Sequence, residues 1–287
     1  MTNESRTFDT AQTRARHFHL RPTPATLANL PTALPGERQI RGAMRIAFVS
    51  DIHGNLPALE AVVADIHRRG ADMTVNLGDS LSGPLLPRET AHYLIAAGWP
   101  TLAGNHERQL LTEAPAHQGA SDAHAYARLG DTEFAWMRSQ PGSLQLQPEV
   151  FVCHGTPASN LEYFFETLTP AGARIATAEE IHARLGAQRS PLVACGHSHM
   201  PRILRIGRQW LLNPGSVGLQ AFRGEYPHPH KIETGSPDAR YAIATLRDGA
   251  WHLSLHAVPY DFEPMARLAE ANGRPEWAYA LRTGYVS

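Results

Sequence analysis

From Met44 onward, short apolar runs alternate with stretches whose apolar residues return every three or four positions. The run Met44-Arg45-Ile46-Ala47-Phe48-Val49 is apolar and β-prone and predicts a strand over 44–50. Behind it, Leu59, Val62, Val63 and Ile66 fall at helical spacing, with Pro57 in the first turn, where its missing N–H is harmless. Met73 to Leu77 predicts a second strand closing at Gly78-Asp79, residues 88–98 a helix, and Trp99 to Leu102 a third strand closing at Gly104-Asn105-His106. Residues 105–139 read as mainly helical, with a polar break near Pro115–Ser121. Strands follow at 150–153 and 192–195, closing at His154 and at Gly196-His197. Antiparallel strands are expected at 202–206, 209–212, 240–246 and 251–258, then one amphipathic helix over about 262–282. Residues 223–239 carry Gly224, Pro227, Pro229, Gly235 and Pro237 and read as a long surface loop. The βαβ start argues for a sheet with parallel strands, and the later hairpins for a second sheet packed on it.

Residues 1–43 break the pattern. They carry six arginines, four prolines and no sustained apolar period, which predicts a flexible or loosely docked extension ahead of a domain over 44–287. Glu4, Asp9 and Glu37 count against a transit peptide, and Met44, directly before the first strand, fits an alternative start. The net charge of −1 supplies no field toward nucleic acid or membrane. No apolar run reaches the length of a membrane span, and the N-terminus lacks a secretory apolar core, so the cytoplasm is the expected location. Cys153 and Cys195 are too few for a disulfide scaffold and lie in apolar runs, so buried free thiols are expected. The composition does not set an oligomeric state. Sixteen histidines invite a metal or acid–base function.

Polar groups close five of the predicted strands: Asp51-x-His53, Gly78-Asp79, Gly104-Asn105-His106, His154-Gly155 and Gly196-His197-Ser198-His199. The carboxyl ends of strands in α/β sheets open into one crevice, so these groups are expected to face a common space. A donor set of carboxylate, amide and imidazole without thiolate suits Mn²⁺, Fe²⁺, Zn²⁺ or Ni²⁺. It carries too many imidazoles for Ca²⁺.

The ordered set D-x-H, G-D, G-N-H, H-G and G-H-x-H resembles the calcineurin-like metallophosphoesterases, over residues 44 to about 282. The run Asn213 to Gly218 and the Tyr241 strand resemble the small prokaryotic branch of that family. The resemblance implies an α/β fold, a four-layer αββα sandwich of two mixed β-sheets flanked by helices. It also implies two divalent metal ions, Mn²⁺ first, with Fe, Zn or Ni as alternatives. Asp51, His53 and His199 would hold one, Asn105, His154 and His197 the other, and Asp79 would bridge them. A hydroxide between the two ions would attack phosphorus in line, and His106 would contact the phosphate and protonate the leaving oxygen. Asn55 is expected to bond substrate or support the bridge, and Arg223 either to hold a phosphate or to be a surface charge. Tyr163-Phe164-Phe165 is read as core, with an aromatic wall for a nucleoside or aryl group as the alternative.

One departure matters. Protein Ser/Thr phosphatases carry a second aspartate three residues after the G-D motif, which orients the catalytic histidine, and an arginine after it. Here those positions are Ser82 and Gly83. That weighs against a protein phosphatase and leaves His106 without the expected partner. The function so implied is hydrolysis of small-molecule phosphodiesters or phosphomonoesters. A phosphoprotein phosphatase, a dinucleoside polyphosphate hydrolase and a catalytically silent binding scaffold are the alternatives. His17, His19, His67, His92, His117, His124, His228, His230 and His256 are expected to be solvated or structural, and Asn213 to Gly218 a tight glycine turn.

Overall fold

The computed structural model of the protein describes residues 44–287; the extension expected over 1–43, with His17 and His19, lies outside them. The chain starts β1 (Met44–Val49), α1 (Leu56–Arg69), β2 (Met73–Asn76) and α2 (Pro87–Ala97). Three short helices follow, α3 (Asn105–Thr112), α4 (Ala120–Tyr126) and α5 (Asp131–Arg138). Next come β3 (Ser143–Gln147), β4 (Val150–Cys153), β5 (Glu166–Thr169), β6 (Gly172–Ile175), α6 (Ala178–Leu185) and β7 (Leu192–Ala194). The remainder is β8 (Arg202–Ile206), β9 (Gln209–Asn213), β10 (Ala221–Gly224), β11 (His230–Glu233), β12 (Ala239–Arg247), β13 (Ala250–Val258), α7 (Glu263–Ala271) and α8 (Pro275–Thr283). No described helix is long and apolar enough to cross a membrane.

Two mixed sheets carry the core. One has the order β13-β12-β1-β2, the other β3-β4-β7-β9-β8. β1 runs parallel to β2 and antiparallel to β12; β7 runs parallel to both β4 and β9. Side chains alternate across each strand, and the alternation builds four layers. Ile46 and Phe48 of β1 meet Val150, Val152, Leu192 and Ala194 between the sheets. Ala47 and Val49, one residue out of phase, face Leu59, Val62 and Ile66 of α1. On the far side, Val193 and Leu211 face Ile181 and Leu185 of α6. Phe48 is fully buried, a burial that favours the folded state by about 1.5–3 kcal/mol. This is the αββα sandwich that the sequence implied.

Four expectations need correction. The strand over 99–102 reduces to a single parallel bridge between Thr101 and Asn76, because the chain turns away at once into the Gly104 loop. The single helix over 262–282 is two, α7 and α8, broken at Asn272-Gly273, where Gly273 takes φ +75°. The loop over 223–239 contains β11, paired with β10 from Ala221↔Glu233 to Gly224↔His230. Within it His230 is buried and accepts from Tyr163 Oη at 3.0 Å, the structural of the two roles expected for it. β3, β5, β6 and α6 have no counterpart among the expected elements; β6 is largely exposed and lacks the alternation that would mark it. Cys153 and Cys195 are buried free thiols as expected.

α1 is fastened to its sheet by a buried polar contact. Tyr241 on β12 donates from Oη to Asp65 Oδ2 at 2.5 Å, and Arg69 Nε reaches the same oxygen at 2.7 Å. Burial acts to raise the Asp65 carboxyl, but the Tyr241 and Arg69 bonds hold it below its ordinary value. Tyr241→Phe should therefore lower the unfolding free energy by about 1–2 kcal/mol at neutral pH, measured by urea denaturation. A carboxyl with a depressed folded pKa stabilises above its unfolded pKa and loses that contribution as pH falls through the folded value. The gap between wild type and Tyr241→Phe should accordingly close in acid, below about pH 4.

Candidate metal centre

The loops leaving β1, β2, β4 and β7 converge at the carboxyl edges of both sheets, joined by the Asn213–Gly218 run after β9. Backbone bonds sew them together: Asp51 N donates to Gly78 O at 2.9 Å, His53 N to Asp79 O at 3.1 Å, Gly196 N to His154 O at 2.7 Å, and Gly218 N to Asp51 O at 3.1 Å. Ser216 Oγ adds a bond to Asp51 O at 2.7 Å. The Asn213–Gly218 run is thus a turn, as expected, but one that clamps the Asp51 loop. Asp51, His53, Asp79, His197 and His199 all hold left-handed backbone, with φ between +52° and +68°. Among described residues other than glycine, Asp248 alone joins them. Such a conformation costs on the order of 1–3 kcal/mol per residue and persists where surrounding structure enforces it. Two glycines permit the approach. A Cβ on Gly104 would overlap Asp79 Oδ1, and one on Gly196 would overlap Ser50 Oγ and crowd Asp51 Oδ2.

Two donor groups result, Asp51-His53-His199 and Asp79-His154-His197, each with ligand atoms within 4.8 Å of one another. In the first, His53 Nδ1 donates to Ser82 O at 2.7 Å and His199 Nδ1 to Leu219 O at 2.8 Å. Carbonyl oxygens only accept, so both Nδ1 atoms carry the proton and both Nε2 atoms present bare lone pairs. Those lone pairs face each other at 3.1 Å. Asp51 Oδ1, buried and without a hydrogen-bond partner, adds a third acceptor. A cation removes that repulsion, so the residues present fit a metal ion. In the second group, His154 Nδ1 donates to Leu77 O at 2.8 Å, and its Nε2 faces Asp79 Oδ2 at 3.0 Å and Asn105 Oδ1 at 3.2 Å. With His154 charged, its Nε2 donates to Asp79 Oδ2, and a cation would take the position of that shared proton. His197 is turned the other way: Nε2 donates to Leu161 O at 3.0 Å, which frees Nδ1.

Burial acts to raise both aspartates, yet His199 and His154 hold Asp51 below its ordinary value, and His154 and His106 hold Asp79 well below it. Burial, with like charge from neighbouring imidazoles, pushes His53 down to about 4 and His197 down to about 3. Burial also works against charge on His154, but Asp79 raises it to about 10. His53, Asp79, Asn105, His197 and His199 line one cavity of about 410 Å³, as does His106, and the buried Asp51 and His154 adjoin it through the two donor groups.

His106 is not without a partner. Its Nδ1 donates to Asp122 Oδ1 of α4 at 2.8 Å, and Asp122 is buried. Burial alone would lower His106, but Asp79 and Asp122 raise it to about 9. Glu107 is a second residue the sequence did not single out. Its buried carboxylate accepts from Asp79 N at 2.9 Å, Gly104 N at 2.8 Å and Ser80 N at 2.8 Å, which clamps the Asp79 loop to the Asn105 loop. It stands three residues after Gly104, the N3 spacing from which a glutamate reaches back to the N-cap N–H, and that spacing could have marked it. No spacing rule connects Asp122 to His106.

Asn55 does not reach the cleft. Its Nδ2 donates to Gly218 O and Tyr260 Oη, both at 3.0 Å, and its Oδ1 caps α1 at Ala58 N. It is a buried structural residue, because both ends of its amide are needed to close the loop. Arg223 borders the cleft but is exposed and bonds Ser287 O. Tyr163 lines the cleft, its ring 4.9 Å from that of His197, while Phe164 and Phe165 belong to the core. The aromatic triplet is thus divided between the two roles considered for it.

Residues 44–230 match the model of the calcineurin-like phosphoesterase superfamily domain. The chain belongs to this family. It is a hydrolase acting on phosphate esters, of a metal-dependent kind. An uncharacterized protein of Methanocaldococcus jannaschii is 23% identical over 252 residues, 81% of this chain and 94% of its own length. A metallophosphoesterase from Sphaerobacter thermophilus has the same fold at a TM-score of 0.65 and 24% identity, covering 85% of this chain and 100% of its own. A hypothetical protein from Pyrococcus horikoshii superposes equally well, at a TM-score of 0.65, 16% identity and the same coverage.

The clamp makes a prediction for this phosphoesterase. Glu107→Gln keeps the size of the side chain but turns one acceptor into a donor facing backbone N–H groups. Divalent-metal affinity, read by equilibrium dialysis, should fall by about 10–100-fold.

Proposed function

We propose that residues 44–287 form the catalytic domain of a phosphoesterase that hydrolyses small phosphodiesters or phosphomonoesters at two divalent cations. Asp51, His53 and His199 hold one cation, Asn105, His154 and His197 the other, and Asp79 stands between them. The observation that carries this reading is the convergence of imidazole nitrogens and carboxylate oxygens in two donor groups, with the His53, His154 and His199 rings each fixed through Nδ1 by a main-chain carbonyl. When bound, the cations would supply an activated water and offset the charge on phosphate oxygens. Mn²⁺ is the first choice on the family resemblance, and the oxygen and nitrogen donors also suit Fe²⁺, Zn²⁺ or Ni²⁺.

The chain's own residues supply the rest. Asp122 fixes His106 through Nδ1, so Nε2 serves the cleft. With its pKa raised to about 9, the imidazole is charged at neutral pH and suited to protonate a departing oxygen. The buried Ser82 Oγ has no hydrogen-bond partner, and Ser82 lines the cleft; it is a candidate contact for substrate. Gly83 argues against a protein phosphatase. A Cβ there would lie 2.6 Å from His53 O and 3.0 Å from the Trp277 ring, so the phosphatase arginine has no room.

Mn²⁺-loaded protein should hydrolyse bis-p-nitrophenyl phosphate or p-nitrophenyl phosphate, and Asp79→Asn should lose most of that turnover; no turnover of either ester overturns the reading. His106→Asn should slow hydrolysis by about 10²–10⁴-fold. The loss should be larger for an alkyl ester than for a nitrophenyl ester, whose leaving oxygen needs no proton. Asp122→Asn should show the same leaving-group pattern with a smaller loss. Equal losses on both esters would remove the acid role from His106.

A further inference from the structure

Beside the cleft lies a second cavity of about 220 Å³. Phe222, Arg223, Arg274 and Trp277 border both. Two of these side chains flank the first donor group: the Phe222 ring lies 4.7 Å from that of His199, and the Trp277 ring 5.9 Å from that of His53. His106 stands on the same side, its ring 5.5 Å from that of His53. Arg274 is tied to this corner. Its Nη1 donates to Ser121 Oγ at 3.0 Å, one residue before the Asp122 that holds His106. Its Nε donates to Glu276 Oε1 at 2.5 Å, and its guanidinium lies 5.6 Å from the Trp277 ring centre. The side chain is thereby oriented, and its Nη2 makes no hydrogen bond among the described residues. The second cavity therefore adjoins the side of the cleft bordered by His53, His199 and His106.

Its chemistry is specific. Aromatic faces stack on planar bases, and an oriented guanidinium pairs with phosphate. Glu225 borders the cleft and Glu276 the second cavity, so the two arginines create no general polyanion trap, and directed contact must supply the recognition. We propose that this cavity receives the leaving half of a nucleotide-type phosphodiester, its base against Phe222 and Trp277 and its own phosphate at Arg274 and Arg223. The inference rests on the phosphoesterase reading above and names its substrate class. In the reaction, the oxygen of water bonds to phosphorus, and the bond from phosphorus to the leaving nucleotide's oxygen breaks with its electron pair on that oxygen. A proton taken up there completes the hydroxyl, and the water's proton goes to solvent.

The dinucleotides pApA and ApA differ by one terminal phosphate and test this directly. On Mn²⁺-loaded wild type, kcat/KM should be at least about tenfold higher for pApA. Arg274→Gln should bring the ratio of the two to about two or below, and Arg223→Gln should reduce it in the same direction. Phe222→Ala should raise KM for both dinucleotides. Equal kcat/KM for pApA and ApA in wild type, or a ratio unchanged by Arg274→Gln, overturns the proposal. Calorimetric binding of 5′-AMP against adenosine provides a readout that needs no turnover. Wild type should prefer 5′-AMP about tenfold, and Arg274→Gln should lose that preference. If bis-p-nitrophenyl phosphate is not cleaved, the phosphoesterase reading fails, and the calorimetric pair still decides for or against the cavity.

Discussion

Lone pairs that repel one another are held in contact at the centre of this protein. His53 Nε2 and His199 Nε2 face each other at 3.1 Å beside the unpartnered Asp51 Oδ1. Buried acceptors without donors are costly, so their persistence needs a frame stiff enough to hold them. The frame is mostly backbone. Bonds from Asp51 N, His53 N, Gly196 N and Gly218 N join the strand-end loops into one network. The left-handed conformation of five donor residues is the local expression of that constraint.

Outside the donors, each imidazole is assigned its proton by one carbonyl. Ser82, Leu77 and Leu219 take Nδ1–H from His53, His154 and His199, and Leu161 takes Nε2–H from His197. Such outer partners fix ring orientation and tautomer, and with them the direction of the free lone pair. Because the partners are main-chain atoms, side-chain identity at positions 77, 161 and 219 carries no trace of the role. Glu107 does through a side chain what the carbonyls do through the backbone, with three N–H groups fastened by one carboxylate.

The helical additions give the cleft its individual walls. α4 brings Asp122 to His106, and α8 brings Trp277 to His53. The β10–β11 hairpin places Phe222 beside His199 and anchors Tyr163 through His230. The two sheets carry the donor loops, and α4, α8 and the hairpin decide what surrounds the cleft.

β1, β2, β4, β7, α1 and the polar residues that close those strands were legible in the sequence because their signals are local. Alternation along β1 and β7 marks the sheets, and polar residues at strand ends mark the loops. Asn55 was misassigned from the same local pattern, since adjacency to His53 does not reveal that its amide closes the α1 cap and the Gly218 loop. The break between α7 and α8 and the burial of β11 were missed because neither has a long apolar period. Asp122 was beyond reach for a deeper reason. A hydrogen bond between helices depends on the angle at which they pack, and that angle is set by side chains far from both partners. Sequence alone put carboxylates, an amide and imidazoles at the strand ends; only the folded chain decided which ring nitrogen of each imidazole faces its neighbours, because that depends on which carbonyl comes within about 3 Å of the other.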